Sequence, residues 1–358
     1  MENKIIFDVE KYRDDRKAVM TAEELAEKLN ITATQLKTYE YARRKNIPLE
    51  EYKALCDAAG LSYEDYLVEV PAEEFIYRRP TIITILTNKG GAGKTTLAVN
   101  LAGALVSDCK KKCLVIDTDL QQNTTMHLGM LYPLDDSVEE AERIARITEE
   151  TKEKNIYNAF VKKDDIQKHI LHTNWENLDV VVSCDAMSTI NKEMYSMQLG
   201  ELRMQAILKK LINENPECYD FVIIDCNPDL SQINEAALFA SDYVIIPLEA
   251  TAFGLRGVQY VIDFYQSVKE QREELDLLGI MLNKYDGRKN ITKDISEALF
   301  GDEYYQDKVF DTKVPVDTSI EQAQSFGEPL FVSFGKSKAS KAYKTLAHEV
   351  LDRIKAKG

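Results

Sequence analysis

From Thr81 onward the chain alternates short, β-branched apolar runs with longer stretches whose apolar positions recur at helical spacing. The runs read "TIITILT", "CLVIDTD", "LDVVVSC", "YDFVIIDC", "DYVIIPLEA", "LLGIMLNKY" and "KVFDTKVP". Continuous apolar runs fit strands buried on both faces, and the helices between them imply a parallel sheet with right-handed crossovers. The expected fold is therefore α/β, a doubly wound and mostly parallel sheet. Between the second and third runs, Leu131 to Asn177 opens with "LYPLDDSVEEAERIARITEETKEKN", whose charge pattern suits a solvated helix inserted on that sheet.

The N-terminal part has a different rhythm. After the opening "KIIFDV" it carries no strand signal but several short helical patterns, so residues 1–75 are expected to form a small all-α domain and residues 76–358 the α/β domain. In "TAEELAEKL", Leu25, Ala26 and Leu29 share one helix face, and Thr21 with Glu24 three residues on has the spacing of a capping box. "TATQLKTYEYARR", "PLEEYKALCDAAGL" and "SYEDYLVEV" continue in the same manner, and Pro71 and Pro80 bracket a linker.

Composition narrows the class. The 358 residues are 44% hydrophobic and 29% charged, as in an ordinary soluble protein. Lysine and arginine number 45 against 60 acidic residues, for a net charge of -15, so any contact with nucleic acid must use a local basic patch. The six cysteines are scattered, with no CxxC pair and no histidine at zinc-ligand spacing in the sequence, which reads as reduced thiols in a cytosolic protein. The charged N-terminus lacks the apolar run of a signal peptide, and no stretch is apolar enough to span a bilayer. A cytoplasmic location is expected.

The chemistry concentrates in "TILTNKGGAGKTTLAVNLAGAL". "KGGAGKTT" follows an expected strand and precedes an expected helix, the context in which a Walker A loop binds phosphates. Gly90, Gly91, Ala92 and Gly93 would bring backbone N–H groups around phosphate oxygens at the positive end of the helix dipole. Lys94 would reach the β- and γ-phosphates, the Thr95 hydroxyl would ligate Mg²⁺ and Thr96 would sit near the α-phosphate. Such a loop calls for acids at neighbouring strand ends. "FVIIDCNPD" supplies Asp225, and "CLVIDTDLQQN" supplies Asp117 and Asp119, one to steady the metal's water and another to orient the attacking water.

"KGGAGKTTLAVNLA", "VIDTDLQQNTT" and "FVIIDCNPDLSQINEAALFASDYVIIPLEATAFGLRGV" closely resemble the deviant Walker A, A′ and B segments of the ParA family of DNA-partition ATPases, in the wider group that includes MinD. "GIMLNKYDGR" and "VPVDTSIEQAQSFGEPL" are similar to that family's later segments. The resemblance implies a P-loop NTPase that binds ATP and Mg²⁺, forms an ATP-dependent homodimer and acts with DNA and a ParB-like centromere-binding protein. It makes Lys89 the signature lysine that crosses to the partner subunit's nucleotide. It ties Asp119 to water activation, Asp117 and Asp225 to the Mg²⁺ shell, and Asn283 with Pro315 to the adenine. Two departures stand out: Asn227 replaces the proline usual after the Walker B cysteine, and "VPVDTSI" lacks the arginines many relatives use on DNA.

DNA contact is therefore sought elsewhere. In "GKSKASKAYK", Lys338, Lys341 and Lys344 recur every three residues beyond Lys336 and share a helix face that could track phosphates, with Arg288 of "DGRKN" nearby if the fold allows. The opposite face, Tyr343, Leu346, Ala347, Val350, Leu351 and Ile354, is expected to pack on the sheet and is too modest for a MinD-like membrane anchor. The N-terminal segment resembles an Xre/phage-repressor helix-turn-helix. By that resemblance Thr34, Gln35, Lys37 and Thr38 lie on a recognition helix, with Arg43 and Arg44 holding backbone. The expected function is an ATP-dependent partition ATPase, nucleoid-associated, with autorepression through the helix-turn-helix; a nucleotide-tuned transcriptional regulator that moves no cargo is the alternative.

Overall fold

The computed structural model describes residues 4–31, 36, 49–70, 79–131, 138–214 and 218–357. The chain divides into two compact units, one built on the residues up to Pro80 together with Lys210–Cys218, the other on Thr81–Lys209 and Tyr219–Lys357.

In the N-terminal unit the capping box forms as its spacing predicts. The Thr21 hydroxyl accepts from Glu24 N at 3.2 Å and the Glu24 carboxylate accepts from Thr21 N at 2.8 Å, starting the Ala22–Lys28 helix. Leu25 and Ala26 of that helix are buried with Phe7, Tyr12, Leu36, Tyr52, Leu55 and Tyr66 in one small core, where Phe7 stacks on Tyr52. The unit is not all-α. Strand β1 (Lys4–Phe7) pairs antiparallel with β2 (Leu67–Val70). "YLVEV" thus ends as a strand, because Asp8 N donates to Tyr66 O and brings the two short apolar segments alongside each other.

The larger unit is the expected α/β sheet. Its strands are β3 (Thr81–Ile85), β4 (Cys113–Asp117), β5 (Leu171–His172), β6 (Leu178–Val181), β7 (Phe221–Asp225), β8 (Tyr243–Glu249) and β9 (Asp276–Asn283), in the order β5-β6-β4-β7-β3-β8-β9. All neighbours are parallel except the β5–β6 edge pair. Strands β4 and β7 are buried at every position, as runs covered on both faces must be. One face is covered by the Lys94–Ser107 and Lys338–Lys357 helices, which pack together through Leu97, Leu101, Leu105, Tyr343, Leu346 and Val350.

The seventh apolar run, "KVFDTKVP", departs from expectation. It meets the edge of β9 in isolated bridges, Ile280–Val309 and Tyr285–Pro315, with one further bond from Val314 N to Leu282 O, and forms no continuous strand. Between them Asp311 N and Thr312 N donate to the Glu349 carboxylate at 2.9 and 3.0 Å, which pulls the backbone off the ladder. In the inserted segment the charged Val138–Thr151 helix is largely solvated, as expected, and seats Ile147 in the main core.

Candidate functional site

The loops that follow β3, β4, β7 and β9 meet around a cleft of about 840 Å³, walled by the glycine loop, Asp119, Asn227, Lys284 and the 315–324 segment. Ligands of open parallel sheets bind in such a crevice beyond the carboxyl ends of the strands.

The glycine loop is shaped by two left-handed residues, Gly91 (φ 75°) and Gly93 (φ 97°). A Cβ on Gly93 would fall 2.0 Å from Asn283 Nδ2, so glycine is required there by both conformation and space. Asn283 ends β9, is buried, and donates from Nδ2 to Ala92 O at 2.8 Å. It props the loop from beneath and is not part of the cleft wall, whereas Pro315 is. Lys94, only 7% exposed, begins the Lys94–Ser107 helix at the cleft floor. Thr96 accepts from Gln324 Nε2 at 2.9 Å, tying that helix to the cleft's far wall.

Sheet register sets the acids. Asp117 of β4 and Asp225 of β7 are paired positions on adjacent strands, so their backbones stand about 4.8 Å apart. One Asp225 oxygen, Oδ2, accepts from both Thr95 Oγ1 and Thr124 Oγ1 at 2.7 Å. The other, Oδ1, is buried without a protein partner. Burial raises the Asp225 carboxyl to about 6, against the opposing bonds from the two threonines. Asp117 is raised to about 7, by burial first and then by the charge of Asp225. Two crowded buried carboxyls with an orphaned oxygen beside the Thr95 hydroxyl fit a hydrated divalent cation, whose charge would favour both ionised forms.

The acids divide their labour. Asp117 spends its oxygens on Asp119 N (3.0 Å), Thr125 N (2.9 Å) and Thr125 Oγ1 (2.7 Å), so it sits behind the cleft and fixes the backbone that carries Asp119. Asp119 faces the cleft and accepts from Gln121 N at 3.0 Å. Asn227 makes an Asx turn, accepting from Asp229 N at 3.1 Å and from Asn234 Nδ2 at 3.0 Å. The polar side chain thereby closes the loop after the Walker B strand in proline's place.

Lys89 does not line the cleft. Its Nζ lies 2.5 Å from Glu249 Oε2, at the end of β8, and this bond holds the Glu249 carboxyl below its ordinary range. Glu249 is a site residue that the sequence reading missed. Its signal is that of Asp117 and Asp225, an acid closing an apolar run, here in "VIIPLEA".

The expected DNA contacts are less complete. Thr34, Gln35, Lys37, Thr38, Arg43 and Arg44 lie outside the described residues. Lys338 and Lys341 are exposed on the C-terminal helix, but Lys344 pairs with Asp108 at 3.2 Å. Arg288 pairs with Asp286 through Nε at 2.8 Å and Nη2 at 3.0 Å while its side chain stays exposed. Among the described residues no helix is long and apolar enough to cross a membrane.

Residues 80–277 match the family described as an AAA domain. The chain is 31% identical over 273 residues to the chromosome partitioning protein ParA of Myxococcus xanthus, covering 76% of this chain and 88% of that protein. It is 32% identical over 270 residues to the sporulation initiation inhibitor protein Soj of Bacillus subtilis, covering 75% and 97%. The plasmid partition protein of Borrelia burgdorferi B31 bound to AMPPNP shares the fold, with a TM-score of 0.62, 22% identity and coverage of 78% of this chain and all of that one (100%). With the phosphate loop, its paired acids and these relatives in view, the chain belongs to the ParA/Soj family of partition proteins and is a P-loop ATPase.

Proposed function

We propose that this chain binds ATP with Mg²⁺, dimerises over the bound nucleotide, holds DNA in that state and releases it on hydrolysis, so as to partition a replicon together with a ParB-like centromere-binding protein. The observation that carries the reading is the Thr95–Asp225 pair beneath the glycine loop, with Asp225 Oδ1 unpaired and buried. The AMPPNP-bound state of the Borrelia neighbour supports it.

The residues suggest the chemistry. Backbone amides of Gly90 to Gly93 and the Lys94 ammonium neutralise phosphate charge, which Mg²⁺ supplements when bound near Thr95 and Asp225. Asp119, held by Asp117, orients the attacking water and takes its proton. Lys89, once free of Glu249, supplies a cation to the partner subunit's nucleotide in the manner of an arginine finger. The exposed Lys338 and Lys341 face non-specific DNA, and the N-terminal unit adds operator binding and autorepression.

The test uses the full chain with ATP, ADP or no nucleotide on random and promoter-proximal DNA, alongside Lys94→Ala. ATP-dependent binding of random DNA, lost in Lys94→Ala, supports partition. Binding confined to the promoter would favour a nucleotide-tuned regulator, and nucleotide affinity retained by Lys94→Ala would refute the loop assignment.

A further inference from the structure

The cysteines show no metal-ligand spacing along the sequence, yet folding sets Cys109 beside a histidine 239 residues away. Cys109 follows Asp108, the C-cap of the Lys94–Ser107 helix, and His348 projects from the Lys338–Lys357 helix packed against it. His348 Nε2 lies 2.7 Å from Asp108 Oδ2 and 4.0 Å from Cys109 Sγ. One ligand atom from each of the three residues falls within 4.8 Å of the others. Tetrahedral zinc, with bonds of about 2.0–2.3 Å, needs ligand atoms roughly 3.3–3.8 Å apart, so small side-chain rotations suffice.

The surroundings favour a cation. The carbonyl end of the 14-residue Lys94–Ser107 helix presents the negative pole of its dipole at this point. Two ammonium groups already use this negative pole, Lys344 Nζ 3.2 Å from Asp108 Oδ1 and Lys110 Nζ 2.8 Å from Ser107 O, and a bound ion would have to displace Lys344 from Asp108. The cluster is not a nucleophile, because burial and then Asp108 push the Cys109 thiol up and keep it protonated. A sulfur, an imidazole and one carboxylate suit a borderline-soft ion and discriminate against the all-oxygen preference of Mg²⁺. The His348 side chain is 58% exposed, which gives an ion a path in and leaves a fourth position to water.

We propose that Asp108, Cys109 and His348 form a Zn²⁺ site, separate from the phosphate cleft, that clamps the C-terminal helix to the far end of the phosphate-loop helix. On binding, the Cys109 S–H bond breaks, its proton passes to buffer and the sulfur electron pair bonds to the metal. The proton that His348 Nε2 shares with Asp108 Oδ2 moves through solvent to Nδ1, and the freed Nε2 lone pair and Asp108 Oδ2 then bond to the ion.

Co²⁺ is the probe, titrated into full-length protein in excess Mg²⁺ and ADP so that the cleft is occupied. One equivalent is expected to raise a thiolate-to-cobalt charge-transfer band that Zn²⁺ then bleaches, and Zn²⁺ is expected to raise Tm by a few degrees. Cys109→Ser should abolish the band, and His348→Gln should weaken Co²⁺ binding by about tenfold or more. Serine keeps the size at Cys109 and glutamine keeps a donor for Asp108, so each variant without metal should melt within a few degrees of the parent. Absence of the band in the parent, or its persistence in Cys109→Ser, overturns the site.

Discussion

Replacing Glu249 by glutamine tests what restrains Lys89. The substitution keeps the size and a hydrogen-bond acceptor at the end of β8 but removes the charge that the lysine meets at 2.5 Å. The two side chains are 38% and 27% exposed, so the pair is screened and belongs with exposed ion pairs worth about 0.2–1 kcal/mol. A dimer in which both subunits send Lys89 across must break two such pairs, about 0.4–2 kcal/mol in all, so Glu249→Gln should tighten ATP-dependent dimerisation roughly 2- to 30-fold. Analytical ultracentrifugation with a slowly hydrolysed analogue measures this directly. The gain should shrink as salt rises, because screening already weakens a pair this open to solvent. Nucleotide affinity of the monomer should not change, since Lys94 and the glycine loop are untouched, and the double variant Lys89→Ala, Glu249→Gln should gain nothing over Lys89→Ala. Unchanged or weaker dimerisation in Glu249→Gln would refute the reasoning.

Asn283→Ala leaves Ala92 O without its donor and should weaken ATP binding about tenfold, read with a fluorescent nucleotide, because an orphaned buried carbonyl costs about 1–3 kcal/mol. His127 is buried and neutral, and burial lowers its pKa from 6.5 to about 4. The stability it contributes is whole above pH 6.5 and drains as pH falls toward 4, about 2 kcal/mol by pH 5, so His127→Asn should lose less stability than the parent on acidification. The raised carboxyls Asp117 and Asp225 act with the opposite sign in this range but cancel between parent and variant; equal pH slopes by chemical denaturation would contradict the assignment. Changing Lys338, Lys341 and Lys344 together to glutamate should abolish binding to random DNA and flatten its salt dependence, with Lys344 contributing least because Asp108 already offsets its charge. Affinity that survives this change, measured by anisotropy, would mark the face as merely solvated.

The phosphate loop and the acids at the strand ends were legible because both are local. "KGGAGKTT" needs only its flanking strand and helix, and Asp117 and Asp225 each close an apolar run whose register the parallel sheet then matches. The capping box of Thr21 and Glu24 was legible for the same reason, a three-residue spacing. Features joined across the chain were not. Lys89 meets Glu249 across 160 residues, Asn283 meets Ala92 across 191, and Cys109 meets His348 across 239. Periodicity is silent on such pairs, since only the folded sheet order brings them together. The opening "KIIFDV" carried the one strand signal of that unit, but its partner β2 was missed because four residues are too few for alternation to stand out. "KVFDTKVP" erred the other way, an apolar run whose ladder is broken by a carboxylate from the last helix.

The Lys94–Ser107 helix acts as a connecting rod. Its 14 residues span about 21 Å, and it is keyed to the C-terminal segment at three levels. Gln324 bonds Thr96 at one end, Asn100 Oδ1 accepts from Leu330 N at 2.8 Å in the middle, and Asp108 grips Lys344 and His348 at the other end. Between these ties Gly103 lets Phe331 lie so close that a Cβ would stand 2.8 Å from its ring. These ties make one contiguous path of contacts between Lys94 and the helix that bears Lys338 and Lys341, so a nucleotide-dependent change in hydrogen exchange along Lys338–Lys357 is the expected sign that phosphate binding and surface charge are coupled.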